Sequence, residues 1–196
     1  MTPSSVTMPW PASPVTPRLL LRPVEPDDGP VLSRLFTDPE VRRYLGGPVS
    51  AERIAVLEKA AVNHPGVFAA VRRSDGAALG AVTVQPDSRG DGRTEVSYQF
   101  LPEHWGHGYA REAVAAAVAW ALEEITTARP VVIAITQEAN RRSCRLLESL
   151  GMEKADTFVE WDAQQVMYAI DRAGGRLLAD DGRGNGDMPA GDSGTG

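Results

Sequence analysis

The chain has 196 residues, a formal net charge of −6 and a single cysteine, Cys144, which suits one domain whose core of about 150 residues hides roughly 68–70% of its unfolded surface without metal or disulfide. One thiol excludes an intrachain disulfide and fits a reducing cytoplasm, while the acidic balance argues against a nucleic-acid partner, which would need its phosphates neutralised. No apolar run approaches the roughly 18 residues of a membrane span, the longest being Ala113 to Leu122, and the N-terminus lacks the basic region and apolar stretch of a signal peptide.

Residues 1–17 hold five prolines and no charged side chain, so an extended or disordered leader is expected. Arg18 to Arg22 has the short apolar run of a strand, and Asp27 or Asp28 is placed to cap a helix carrying Val31, Leu32 and Leu35. Asp38-Pro39 joins a cap to a proline at the first helical position, which predicts a short helix toward Leu45. Ser50 is positioned to cap the next helix, with Ile54, Leu57 and Ala61 on one face. Phe68 to Arg73 and Ala78 to Gln85 flank Ser74-Asp75-Gly76, a hairpin signal, and the glycine-containing turn Arg89 to Arg93 precedes a strand over Thr94 to Leu101. Helices are thus followed by an antiparallel meander.

Residues 95–111 run from strand into turn into helix. Gly106 and Gly108 leave the backbone bare where the helix begins, and the first amides of a helix, lacking intrahelical acceptors, suit a phosphate or diphosphate. A tight turn that uses glycine only for packing has the same signature. Arg111 stands where a dinucleotide fingerprint needs its third glycine, and the chain contains no G-K-[S/T] ending of a P-loop. Beyond the turn, Val114, Val118, Leu122 and Ile125 fall at helical spacing among alanines, and Val131 to Thr136 is the continuous apolar run of a strand buried on both faces. Asn140 is placed to cap a helix with Leu146, Leu147 and Leu150, and Gly151 to end it. Met152 to Glu160 and Gln164 to Asp171 suggest a closing hairpin around Asp162-Ala163. Residues 172–196, with eight glycines, four aspartates and no aromatic, lack anything to bury and are expected to be a disordered tail. That leaves 18–171 as the folded unit, a mixed α/β sheet with flanking helices.

The string P-E-H-W-G-H-G-Y-A-R-E-A, Pro102 to Ala113, resembles the acetyl-CoA-binding motif of the GNAT N-acetyltransferases, and more narrowly their branch of ribosomal-protein N-terminal acetyltransferases. E-A-N-R-R-S-C-R-L-L-E-S-L-G-M, Glu138 to Met152, is similar to the family's N-x-x-S…L-G-F segment, and T-P-R-L-L-L-R-P-V-E-P-D-D, Thr16 to Asp28, to its first strand and helix start. The resemblance implies the GNAT fold: a central, mostly antiparallel sheet of about seven strands whose middle strands splay apart. It also implies acetyl-CoA as cosubstrate and a primary amine as acceptor, either a protein N-terminus or a small molecule, with the enzyme a monomer or homodimer. The alternatives are a non-catalytic acyl-CoA-binding module and a transferase for another acyl group.

Carried onto these residues, the resemblance implies that main-chain amides of Trp105, Gly106, His107, Gly108, Tyr109 and Ala110 hold the coenzyme diphosphate, with Arg111 adding charge or merely facing solvent. The Phe100 amide would polarise the thioester carbonyl, and Asn140 would contact the pantetheine arm beyond its capping role. Glu95 stands where the family often has the glutamate that takes the amine proton through a water. Ser143 matches a serine that hydrogen-bonds the leaving sulfur, with Tyr98 and Tyr109 as further donors. Two departures stand out. Leu147 occupies the place of a frequent acid tyrosine, and Glu103 replaces a Gln or Arg, so it is expected to turn to solvent. Cys144 reads as a packed helical thiol, and His64, His104 and His107 are too scattered for a metal site. Acceptor specificity is expected from the helices between Leu35 and His64 and from the last hairpin, near Trp161.

Overall fold

A computed structural model describes residues 6–89 and 92–173. Its single sheet has the order β1-β2-β3-β4-β5-β7-β6, built from β1 (Leu19–Pro23), β2 (Val67–Arg72), β3 (Ala78–Pro86), β4 (Thr94–Phe100), β5 (Val131–Gln137), β6 (Glu153–Glu160) and β7 (Ala163–Asp171). Every neighbouring pair is antiparallel except β4 with β5. Those two parallel strands share only two register pairs, Thr94 with Val132 and Glu95 with Ile133, whereas β4 matches β3 over seven pairs and β5 matches β7 over seven. The middle of the sheet therefore opens beyond Glu95, as expected of splayed central strands.

The helices are α1 (Gly29–Thr37), α2 (Pro39–Arg42), α3 (Ala51–Ala61), α4 (Tyr109–Glu124) and α5 (Arg141–Ser149). Alternation along β4 sends Val96, Tyr98 and Phe100 to one face and Glu95, Ser97 and Gln99 to the other. On the first face Val96 and Phe100 join Leu19, Leu21, Phe68, Val82 and the α4 residues Val114 and Val118 in the main core. On the second, Leu32 and Leu35 of α1 and Val41 of α2 pack with Ala69 and Val71 of β2. The small residues of α4, with Ala113 and Ala117 fully buried, let that helix lie close against the sheet.

Local capping follows the sequence in part. Asp38 caps α2, its Oδ1 accepting from the Glu40 and Val41 amides at 2.8 and 3.2 Å, and the helix stops at Arg42. Asp28 precedes α1 but does not cap it by its side chain. Its carboxylate is committed to Arg22, at 2.7 and 2.9 Å, and to the Glu25 amide. Ser50 likewise precedes α3 without a capping bond from its hydroxyl. Gly151 follows α5 in the left-handed conformation at φ 78°.

Residues 6–17 depart from the disordered leader expected from their prolines. Thr7 bridges Thr126 and Val15 bridges Leu20, and the Trp10 ring stands edge-on to Phe68 at 5.0 Å while its Nε1 donates to Asn63 Oδ1 at 3.3 Å. Val6, Met8 and Trp10 supply apolar surface that the main core covers, enough to hold a proline-rich segment extended along the body. Residues 1–5, and the tail from 174 onward, lie outside the described residues.

Candidate active site

The turn between β4 and α4 begins with a 3₁₀ turn over Pro102–His104. Gly106 and Gly108 both have φ +79°, a region glycine enters freely and other residues enter at a cost. A β-carbon at Gly106 would meet nothing within 4 Å, and at Gly108 only Arg18 Nη2 at 3.4 Å. Backbone conformation, not crowding, demands glycine here, and the space before the turn is open. The hydrogen-bond ladder of α4 starts with the Glu112 amide donating to the Gly108 carbonyl at 3.1 Å. The Tyr109, Ala110 and Arg111 amides thus sit at the helix mouth without intrahelical acceptors. Left-handed glycines, open space and these amides fit a diphosphate.

The segment leading into β1 braces this turn. Arg18 donates from Nη1 to the His107 carbonyl at 2.9 Å and from Nε to Glu112 at 2.6 Å, and its guanidinium lies 4.6 Å over the Tyr109 ring. Thr16 Oγ1 and the Arg18 amide occupy the other Glu112 oxygen. Glu112, a carboxylate in the first turn of α4, is thereby held and neutralised. His107 is exposed and stacks on Tyr109 with ring centroids 6.0 Å apart. Arg111 turns away from the turn, donating to Ser149 Oγ at 3.0 Å and to the Ser149 carbonyl at 3.1 Å. Glu103 does not face solvent unaccompanied: Arg34 forms a two-pronged pair with it at 2.7 and 3.1 Å, which lowers its pKa.

A cavity of about 480 Å³ lies where β4 and β5 separate, with lining residues from both faces of the sheet. Tyr98, Phe100, Trp105, Ala110, Asn140 and Ser143 line it on the α4–α5 side. Glu40, Arg43, Tyr44, Leu45, Ser97 and Gln99 line it on the α1–α2 side. The Leu101 amide donates to the Leu79 carbonyl across β3 at 3.0 Å, so by strand alternation the Phe100 amide faces the gap. Trp105 fixes the next peptide by donating from Nε1 to the Phe100 carbonyl at 2.7 Å, and the Arg142 guanidinium lies 4.3 Å over its indole. Gln99 Oε1 is a buried acceptor without a hydrogen-bond partner among the described residues.

Asn140 caps α5, its Oδ1 accepting the Ser143 amide at 3.3 Å. Ser143 Oγ lies 2.6 Å from Tyr98 Oη, a contact across 45 residues that no spacing rule announces. Burial pushes the Tyr98 phenol up to about 12, with the Ser143 bond pulling the other way. Leu147, at the tyrosine position of many family members, is buried in the core. Cys144 beside Ser143 is buried too, as expected of a packed thiol. Among the described residues no cluster of His, Cys, Asp or Glu side chains is arranged to hold a metal ion.

Glu95 is drawn in less closely. It lies where β4 and β5 still pair, on the strand face of Ser97 and Gln99, and it is not part of the cavity wall. Burial raises its pKa, while Arg89, 3.8 Å away, acts in the opposite direction. Trp161, 84% exposed at the tip of the β6–β7 hairpin, also stands outside the cavity wall. The residues that sequence reasoning missed are Arg18 and Thr16, which grip Glu112; Glu40, Arg43, Tyr44 and Leu45 at the far mouth, on α2 and just after it, fall within the stretch from Leu35 to His64 that the sequence had put forward. The T-P-R segment was visible, but its pairing with a helix some ninety positions on was not.

Comparison with known proteins gives this geometry a context. A family model described as "Acetyltransferase (GNAT) domain" matches residues 18–153. An "Uncharacterized N-acetyltransferase YoaA" from Bacillus subtilis is 27% identical over 165 residues, covering 78% of this chain and 86% of that protein. The crystal structure of a GNAT-family acetyltransferase from Bacillus anthracis superposes with a TM-score of 0.71 at 21% identity, covering 81% of this chain and 98% of the other. A spermidine N-acetyltransferase from Vibrio cholerae, solved in complex with CoA and spermine, superposes with a TM-score of 0.68 at 17% identity, covering 81% and 98%. With a family model spanning more than half of its length and a splayed sheet to match, the chain belongs to the GNAT acetyltransferases, as an N-acetyltransferase.

Proposed function

We propose that the chain moves the acetyl group of acetyl-CoA onto a primary amine, either a protein N-terminal α-amine or the amine of a small molecule, in the manner of the ribosomal-protein N-terminal acetyltransferase branch. The observation that carries this reading is the cavity at the splay, walled on one side by Asn140, Ser143 and the approach to the glycine turn, and on the other by Glu40, Val41, Arg43, Tyr44 and Leu45. Such a cavity lets two substrates meet from opposite faces of the sheet.

Acetyl-CoA supplies an activated thioester when bound. The amides from Gly106 to Ala110 hold its diphosphate, the Trp105 amide being committed to the Pro102 carbonyl at 3.1 Å and so unavailable for the role the sequence suggested, and Asn140 contacts the pantetheine arm. The Phe100 amide, turned to the gap, supports negative charge developing on the carbonyl oxygen. Ser143 donates to the sulfur. Glu95 takes the amine proton through a water, a role served by a carboxyl whose pKa burial raises. Glu95 stands about 7 Å along the strand from Ser97, the first residue of its β4 face to line the cavity. Proton removal matters most for lysine-like acceptors, neutral only about once in 10³ molecules at pH 7, and less for an α-amine near 7.7–8.0.

The leucine at 147 favours a second reading, an acyl-CoA-binding module without turnover. Thiol release from acetyl-CoA across a panel of peptides and small amines, with the acetylated product weighed by mass spectrometry, separates the two. Stoichiometric thiol and amide support transfer. Tight coenzyme binding with no thiol from any amine overturns it in favour of the module, and succinyl- or longer-chain thioesters assayed in parallel identify the acyl group.

A further inference from the structure

Serines within a helix commonly turn their hydroxyl back onto a carbonyl of the preceding turn. Ser149 of α5 does so, donating to the Leu146 carbonyl at 2.7 Å. Ser143 of the same helix does not: its Oγ meets Tyr98 Oη at 2.6 Å, its amide is taken by Asn140 Oδ1, and both side chains line the cavity. Two hydroxyls that share one hydrogen bond have two protons between them. One lies in the mutual bond, and the other is left to point elsewhere.

We propose that Tyr98 is a positioning residue for Ser143: by donating to Oγ it aims the Ser143 proton into the cavity, where it stabilises the departing thiolate as a hydrogen-bond donor without being transferred. The inference rests on the acetyl-transfer reading given above. The step balances without an acid. The amine lone pair forms the C–N bond, the C–S bond breaks with its electron pair leaving on sulfur, and the nitrogen proton passes by way of a water to the Glu95 carboxylate. Sulfur takes its proton from solvent after departure. Geometry supplies the donor, and relative acidity shows why it keeps its proton. The proton offered to sulfur is that of an aliphatic hydroxyl, a far weaker acid than a thiol near 8.5, so it is shared with the departing sulfur and not passed to it.

Direct titration of the thiol of coenzyme A bound to the full chain tests this without knowing the acceptor, because a thiolate absorbs in the ultraviolet and a thiol does not. The charged groups around the cavity, Arg141 and Arg142 on α5, Glu40 on α2 and Arg43 just after it, remain in every variant compared. The wild-type complex should titrate about one to two units below free coenzyme A. Ser143→Ala and Tyr98→Phe should each return most of that shift, and the double variant should match Ser143→Ala alone. A bound thiol that titrates like the free one, a Tyr98→Phe protein that keeps the full shift, or additive losses in the double variant would overturn the proposal. Failure to bind coenzyme A at all would overturn both it and the acetyl-transfer reading, and shows as absent binding and not as an unshifted titration. With an accepted amine, Tyr98→Phe should lower kcat roughly tenfold and leave the acetyl-CoA KM within about twofold; a loss confined to KM contradicts the positioning role.

Discussion

The two sides of the β4–β5 gap are built from different materials. On the side proposed for the coenzyme the turn is backbone: two left-handed glycines and the first amides of α4, held from behind by Arg18 and Thr16. On the side proposed for the acceptor the wall is side chain: Glu40, Arg43, Tyr44 and Leu45 from α2 and the loop after it, with Ser97 and Gln99 from β4. A backbone site binds what every substrate pair has in common and tolerates few changes at its glycines. A side-chain site can be rewritten one residue at a time, which is how one fold serves many amines.

That contrast can be broken most severely at Glu95. Glu95→Gln should lower kcat by roughly 10²–10⁴ with little change in acetyl-CoA affinity. Because burial places this carboxyl above its ordinary 4.5, a base at this position works above its raised pKa and is lost as pH falls through it. The acid limb of the kcat profile should therefore lie above 4.5 and vanish in the Gln variant. Full activity would remove Glu95 from the chemistry, which its place outside the cavity wall makes a sharp question.

Gly108→Val should raise the acetyl-CoA KM roughly tenfold or more, seen in initial rates, while strain of about 1–3 kcal/mol lowers the melting temperature by several degrees. If KM holds while the melting temperature drops, the turn serves packing alone. Trp105→Phe leaves the Phe100 carbonyl without its donor and should cost about 1–3 kcal/mol in chemical denaturation. Gln99→Leu removes a buried, unpartnered acceptor, so stability should hold or rise by up to about 1 kcal/mol while the KM for the amine rises. Loss of stability there would mean that Gln99 serves the fold. Arg111→Gln should have the smallest effect, changing the acetyl-CoA KM less than about threefold, since its guanidinium is spent on Ser149.

Legibility in the sequence followed the range of the interaction. Asp38-Pro39, Ser74-Asp75-Gly76, Gly106 to Gly108 and Asn140 announce themselves because a cap or a turn is decided within a few residues. Strand boundaries along the meander followed for the same reason. What lay hidden was long-range or competitive. Asp28 looked like a cap, but a salt bridge to Arg22 claimed its carboxylate. Residues 6–17 looked unstructured because a count of prolines gives too little weight to Trp10 and Met8, which pack against the main core. The Tyr98–Ser143 bond and the Arg18–Glu112 brace join residues that share no period, and only the register of β4 and β1 against the helices brings them together.

A crystal structure of the chain with coenzyme A tests the central claim most directly. The account predicts diphosphate oxygens within hydrogen-bonding distance of the Gly106 to Ala110 amides, the pantetheine arm between β4 and β5, and the sulfur beside Ser143. Phosphates docked away from that turn, or a gap that stays closed to the pantetheine arm, would contradict it.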